Sequence, residues 1–326
     1  AIENQTPDIV GLSNYTWNYA LNQFAGEQIK NLPDQEIPIV MGGPNIRLEE
    51  EGIIDFLEEN SYVDRYVMYS GERPMEEIVS NFLEIPVNER SASQVRKLQL
   101  KRSYSLVEDK LQSGSIIDDE KVLDYIPSPY LTGALDEFLK TGFLPIFETN
   151  RGCPFSCTFC VWGISALSKI KKFSMERVKE ELDYVAKFGL NFFELVFADA
   201  NFGILKRDVE ISSHIRKLYD TYKSFAAVQI YWSKSAKPHM VDIGKELREL
   251  THTYVAFQSL DPIVLKAIKR DNIGTDKLMS LIDKLREYTH STQTDLLVGL
   301  PNETFDSHIS SLETALGYGF DFVNGG

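Results

Sequence analysis

The chain has 326 residues, enough for two domains with cores of their own, and its 43% hydrophobic and 25% charged residues are those of an ordinary globular protein. No apolar run reaches the ~18–20 residues of a membrane span, and the start carries no signal-peptide pattern. A formal net charge of −14 disfavours nucleic-acid binding through phosphates, though not a local basic patch, and an odd count of three cysteines disfavours a disulfide framework and points to a reducing, cytoplasmic setting.

In chain order, "PDIVGLSNYTWN" (7–18) predicts a buried strand entering a polar loop, and "QFAGEQIKNL" a helix. "IPIVMGGPN" (37–45) predicts a second strand, ending in Gly-Gly-Pro. "VDRYVMYSGERPMEEIVSNFL" predicts a third strand, a loop at Ser70–Pro74 and a helix. These are βα units of an open parallel sheet, with glycines where backbone must approach a ligand. A lone Gly-Gly-Pro is often only a turn. Residues 84–141 read as a linker with a helix over about 89–112, the polar "SGSIIDDE", and an extended "IPSPYLTG" whose Tyr130 and Leu131 are candidates to pack between domains.

From residue 142 strands and helices alternate, as in a barrel of strand–helix units. "LPIFETN" (144–150) is the first strand, and "SMERVKEELDYVAKFG" a helix capped by Ser174 and stopped at Gly189. Strands follow at "FFELVFADANFG", "AVQIYWSKSA", "YVAFQSL", "QTDLLVGLP" and "FDFVNGG". The intervening helices are "DVEISSHIRKLYDTY", "MVDIGKELREL", "DKLMSLIDKLREY" and "SHISSLETALGYG". That makes six strands and five helices, with chemistry expected at the strand C-terminal ends.

All three cysteines sit in "RGCPFSCTFC" (151–160), as Cys153, Cys157 and Cys160. Structural zinc normally takes four protein ligands, and the nearest histidine in sequence is His214. Three unrelated core thiols are the other bland reading. Iron–sulfur clusters usually take four thiolates, so three on a four-iron cluster leave one iron open to a small molecule.

The Cys-x3-Cys-x2-Cys spacing, with aromatic Phe159 before the last cysteine, resembles the signature of the radical S-adenosylmethionine (radical SAM) superfamily. The resemblance implies a [4Fe-4S] cluster on Cys153, Cys157 and Cys160, with SAM on the open iron and reductive cleavage to a 5′-deoxyadenosyl radical. It implies SAM contacts from Phe159; from Asp199 and Asn201 after the second strand; from Ser233 and Lys234 after the third; from Gln258 and Ser259 after the fourth; and from Gly299 and Pro301 in "GLPNET". That segment is similar to the GLPGET type of many members, with Asn302 in place of glycine. The bland alternatives stay open: Asp or Asn capping a turn, a solvated lysine, and a plain turn at Gly299-Leu300-Pro301.

Upstream, "GLS-x-Y-x-W-N", "GGP" and "GER" after successive strands resemble the cobalamin-binding domain of B12-dependent radical SAM enzymes. The resemblance implies cobalamin beside Ser13, Asn14, Trp17, Asn18, Gly42, Gly43, Pro44, Gly71 and Glu72; Trp17 is alternatively an interface aromatic. Such domains have five strands and three are legible, so the chain reads as starting within one. The Asp-x-His-x-x-Gly motif of many cobalamin proteins is absent, and all five histidines (214, 239, 252, 290, 308) fall in the barrel.

The expected fold is α/β: a partial Rossmann-like cobalamin-binding domain (1–83), a linker (84–141), and a six-stranded (β/α)6 partial TIM barrel of radical SAM type (142–326). The expected function is cobalamin-dependent radical methylation of an unactivated carbon in a small-molecule substrate, with flavodoxin or ferredoxin as electron donor. The alternatives are a B12-radical SAM cyclase or rearrangement enzyme, or a radical SAM enzyme with a non-B12 appended domain. A tRNA methylthiotransferase would need more cysteines, and a non-catalytic cobalamin or metal sensor would not need polar strand ends.

Overall fold

In the computed structural model the described residues are 7–33, 36–113, 122–164, 167–234, 237–270, 272 and 274–326. The chain forms two compact units, residues 1–119 and 120–326. The "SGSIIDDE" stretch lies, after Ser113, outside the described residues.

The first unit is built on a five-stranded sheet in sequential order. Strands β1 (Val10–Ser13), β2 (Ile39–Gly42) and β3 (Arg65–Val67) are parallel, with Val10 opposite Ile39 and Val40 opposite Arg65. Helices α1 (Tyr19–Lys30), α2 (Glu50–Glu59) and α3 (Glu72–Glu84) connect and follow them. Side-chain alternation covers both faces. Ile39 and Met41 pack with Ile29, Ile53 and Leu57 on one side, and Val40 and Val67 with Ile78 and Phe82 on the other.

The segment read as a linker helix folds differently. Only α4 (Ala92–Lys97) is helical; β4 (Ser103–Val107) and β5 (Lys110–Ser113) then form a hairpin that continues the sheet antiparallel to β3. The hairpin turn places Glu108 and Asp109 at φ 51 and 58, a left-handed pair that closes a tight β-turn without glycine. Buried Arg65 fastens this segment, donating to Val95 O at 3.0 Å, Arg96 O at 2.8 Å and Ser103 Oγ at 2.7 Å. Burying a guanidinium without those acceptors would be costly, so residues 92–107 belong to the first unit. Its sheet therefore has five strands where three were expected.

The second unit holds two three-stranded parallel sheets. After helix α5 (Asp136–Lys140), the expected first strand is broken. Strand β6 (Ile146–Phe147) joins the main sheet, while β7 (Asn150–Arg151) turns away to pair antiparallel with β8 (Lys171–Lys172). Helix α6 (Met175–Lys187) is capped by Ser174, whose hydroxyl accepts from Arg177 N, and Gly189 follows at φ 83. Next come β9 (Phe192–Phe197), α7 (Asp208–Tyr222), β10 (Phe225–Gln229) and α8 (Met240–Leu247). The first sheet runs β10-β9-β6.

The second sheet runs β11-β12-β13, from β11 (Thr253–Tyr254), β12 (Thr292–Leu296) and β13 (Phe322–Gly325). Its helices are α9 (Pro262–Ala267), α10 (Thr275–Arg286) and α11 (Phe305–Gly317). Leu195, Phe197 and Val228 bury against α6 and α7 through Leu182, Val185, Ile211 and Ile215. Val255, Phe257 and Leu296 bury against α10 and α11. Tyr130 is buried in the second unit, stacked on Phe147 with its hydroxyl donating to Ile146 O at 2.7 Å; Leu131 is exposed.

Candidate active site

The cysteine loop is the excursion between β7 and β8. Its path needs glycine at 152 (φ 117), where a Cβ would stand 2.3 Å from Lys169 O, and at 163, where it would stand 2.1 Å from Cys157 O. Cys153 N donates to Leu167 O at 2.9 Å and Thr158 N to Ile268 O at 3.0 Å, tying the loop to itself and to the end of α9.

Two side chains hold the root of the loop. Asp199, fully buried, accepts from the backbone N–H of Thr149 (2.7 Å) and Asn150 (3.1 Å) and from both their side chains. Burial pushes its carboxyl up to about 7 against those donors. Arg207 donates to Phe173 O and Thr149 O, both at 2.6 Å, so it clamps the two arms together. Asp199 is thus tied to the loop root by four hydrogen bonds and is not among the residues that line the cavity the thiols border.

That cavity, of about 240 Å³, is lined by all three cysteines with Phe159, Asn201, Lys234, Gln258, Arg270 and aromatic neighbours. Asn201 Nδ2 donates to Cys153 Sγ at 3.2 Å, and Lys234 Nζ to Cys157 Sγ at 2.9 Å while lying 4.0 Å over the Phe155 ring. Arg270 Nη1 lies 3.9 Å from the same sulfur; Nη2 is anchored on Ala256 O and Nε on Asn272 Oδ1 at 3.0 Å. Burial lowers the Arg270 pKa, opposed first by Cys157. Burial likewise pushes the Cys160 thiol up. Two cations on one thiol make the site ready for negative charge. Among the described residues no three His, Cys, Asp or Glu side chains converge closely enough to hold one metal ion, and the three thiols border one shared space. Gln258 Oε1, buried without a hydrogen-bond partner among the described residues, marks an acceptor in the same cavity.

Of the expected SAM residues, Phe159, Asn201, Lys234 and Gln258 meet at the cavity, whereas Asp199, Ser233, Ser259, Gly299 and Pro301 do not line it. Ser233 is buried, its N–H donating to Phe202 O at 2.7 Å; Ser259 Oγ accepts from Asp261 N at 3.2 Å. Gly299 N donates to Glu303 Oε2 at 2.7 Å. Asn302 takes φ 65, a left-handed position that asparagine tolerates better than most non-glycine residues. Arg270 escaped the sequence reading. Its signal was "SLDP": Asp261 caps α9 from Ile263 N and Val264 N with Pro262 at the first turn, and that helix carries the chain back to Cys157.

In the first unit, Ser13, Gly42 and Gly71 stand at or just past the ends of parallel strands. Asn14 is fully buried, with Nδ2 on Asn45 O (2.8 Å) and Tyr66 OH (3.1 Å), and Tyr66 OH donates to Gly43 O at 2.8 Å. It locks the loops rather than presenting a polar group. Asn18 Nδ2 donates to Ser13 O at 2.9 Å, and Trp17, 79% exposed, stacks on Tyr15 at 4.5 Å. Pro44 follows Gly43 in the second loop, and Glu72 opens α3 after Gly71. Residues 1–119 contain no histidine.

Residues 147–315, just over half of the chain, match the family described as the Radical SAM superfamily. The cobalamin-dependent radical SAM methyltransferase TokK of Streptomyces tokunonensis is 31% identical over 308 residues, covering 91% of this chain and 43% of that protein. The 2-(S-pantetheinyl)-carbapenam-3-carboxylate methyltransferase of Streptantibioticus cattleyicolor is 31% identical over 312 residues, with the same coverages, 91% and 43%. The chain thus spans less than half the length of these relatives. The structure of the radical SAM methyltransferase TsrM from Kitasatospora setae, with cobalamin and a [4Fe-4S] cluster bound, superposes with a TM-score of 0.73 at 15% identity, covering 99% of this chain and 62% of that one.

Proposed function

Because this chain belongs to the radical SAM superfamily, we propose that it performs cobalamin-dependent radical methylation of an unactivated carbon in a small molecule. The observation that carries the reading is the single cavity on which Cys153, Cys157 and Cys160 open beside Asn201, Lys234 and Gln258. Two relatives at 31% identity named as methyltransferases, one of them cobalamin-dependent, support the B12 and methyl halves.

When bound, the cluster would supply the electron that cleaves SAM, and the corrinoid would carry the methyl group. The chain's own residues do the rest. Three thiolates would hold three irons. Lys234 and Arg270 offset the negative charge at Cys157, and Asn201 donates to Cys153. Phe159 offers an apolar surface to an adenine, and Gln258 Oε1 an acceptor to an ammonium or hydroxyl. Asp199 and Arg207 keep the loop root fixed, so the thiols are held in place before the cofactor arrives. In this reading the two three-stranded sheets are halves of a (β/α)6 partial barrel, and the first unit is a Rossmann-like corrinoid carrier using Ser13 to Asn18, Gly42 to Pro44, Gly71 and Glu72. A low-potential donor of the flavodoxin or ferredoxin kind and a cytoplasmic setting belong to it; no helix among the described residues is long and apolar enough to cross a membrane.

The test is anaerobic reconstitution with iron, sulfide and cobalamin, followed by methyl-labelled SAM and reductant. Release of both 5′-deoxyadenosine and S-adenosylhomocysteine, with label on the bound corrinoid, is expected. Deoxyadenosine without S-adenosylhomocysteine would overturn the methyl-transfer reading, and zinc in place of iron would overturn the cluster.

A further inference from the structure

The strands of the second unit carry another polar feature, on the face turned away from the helices. In β9, Leu195 and Phe197 enter the helix-side core, so Glu194 takes the opposite face; in β10, Val228 does so, leaving Gln229 and then Tyr231 opposite. The register agrees, with Ala227 beside Glu194. In β12, Leu296 joins the core under α10 and α11, which turns Asp295 to the other face.

On that face polar groups link strand to strand. Gln229 Nε2 donates to Tyr231 OH at 3.2 Å, and Tyr231 meets Tyr254 edge-on at 6.3 Å. Tyr254 OH donates to Asp295 Oδ2, and Asn324 Nδ2 to Asp295 Oδ1 at 3.0 Å. Tyr231 and Tyr254 also line the cysteine cavity, so this string starts where the cavity ends.

Charge is segregated across the space. The cations Lys234 and Arg270 stand at Cys157. Strands β6 and β9 to β13 contain no lysine or arginine, but they contribute Glu194 and Asp295. Neither carboxyl makes an ion pair among the described residues, and burial raises the Glu194 pKa, as expected for an acid without a cation. A carboxylate has about four acceptor positions. On Asp295, Tyr254 and Asn324 fill two.

We infer that Asp295, oriented by Tyr254 and Asn324, is the specificity residue of the polar strand face that adjoins this cavity through Tyr231 and Tyr254, and takes a protonated amine of the substrate. The inference rests on the functional reading above. A carboxylate in a partly desolvated wall binds an N–H cation more strongly than a neutral donor and repels an anion. Glu194 adds to the same field from β9.

The experiment uses cluster-loaded protein with SAM and three probes that share one ring: phenethylamine, 2-phenylethanol and phenylacetate. Binding is read by calorimetry. Wild type should prefer the amine over the alcohol by about tenfold, the equivalent of ~1.4 kcal/mol. Asp295→Asn should erase most of that preference while alcohol binding stays within about twofold, because the charge is removed, the amide oxygen can still accept from Asn324 and the Tyr254 hydroxyl can turn to accept from the new amide N–H. Glu194→Gln, at a side chain with no hydrogen-bond or ion-pair partner among the described residues, should weaken the amine by a few-fold. Phenylacetate binding as tightly as the amine overturns the inference. So does an amine preference that survives both substitutions, and so does a parallel fall of amine and alcohol in Asp295→Asn, which marks a structural role. Deoxyadenosine release by wild type is scored beside it. If release occurs and the amine preference does not, the inference alone falls; if the loaded protein releases none, the radical reading falls and takes the inference with it.

Discussion

Lys234 Nζ donates to Cys157 Sγ at 2.9 Å, joining residues 77 positions apart. The lysine also lies over the Phe155 ring, which fixes its direction. A cation on a cluster ligand stabilises the reduced, more negative state. Lys234→Met should therefore make the cluster harder to reduce. Losing ~1.4 kcal/mol of charge stabilisation corresponds to about 60 mV for one electron. An EPR-monitored redox titration checks this, with iron content expected to stay at the wild-type level. An unchanged potential would show that the contact does not persist in the loaded protein.

Cys157→Ala should abolish SAM cleavage and lower iron and sulfide content. Deleting one small buried thiol removes little packing, so the thermal transition of the unloaded protein should shift only slightly. Iron analysis and deoxyadenosine assay decide it, and retained cleavage would refute the cluster assignment.

Asn201→Ala and Phe159→Ala should each weaken SAM binding. Removing one partner of a buried hydrogen bond costs about 1–3 kcal/mol, on the order of tenfold in affinity, and stripping the aromatic surface from under an adenine should cost a similar amount. Ser259→Ala, outside the cavity, is the control and should leave SAM affinity unchanged. Equilibrium binding with the loaded protein measures all three.

Asp199 titrates in a direction that can be checked through stability. Its carboxyl keeps a proton up to about 7 when folded, against ~3.9 in an unfolded chain. Between those values the folded state holds the extra proton, so this group's stabilisation is complete below about pH 4 and is lost as pH rises toward 7. The stability difference between wild type and Asp199→Asn should therefore shrink over that range in urea unfolding. A difference that grows with pH would mean that the four donors favour the carboxylate outright.

Gly43 stands at φ 136, where a Cβ would lie 2.3 Å from Asn14 O. Gly43→Ala should cost about 2–4 kcal/mol of first-unit stability through backbone strain and displacement of Asn14. Corrinoid retention should fall with it. Spectroscopic quantitation of bound corrinoid after gel filtration measures the effect, and full retention would place the corrinoid away from these loops.

The sequence alone determined what local chemistry can encode. Three thiols in eight residues define the metal-ligating loop, because the spacing itself carries the requirement. Helices such as α6 and α7 follow from their apolar periodicity and from Ser174 as cap. The strand-end positions Asn201, Lys234 and Gln258 were legible because parallel α/β chains present chemistry there. Tertiary structure decided what depends on partners far along the chain. The stretch 89–112 carries no glycine at its turn, so Glu108 and Asp109 gave no hairpin signal, and the strands show themselves only by pairing with β3. The resemblance implied a SAM contact at Asp199; only the fold shows it accepting from Thr149 and Asn150 at the root of the loop. Arg270 reaches Cys157 across 113 residues because α9 folds back over the cavity. Composition and periodicity report the neighbours along the chain, whereas these roles belong to neighbours in space.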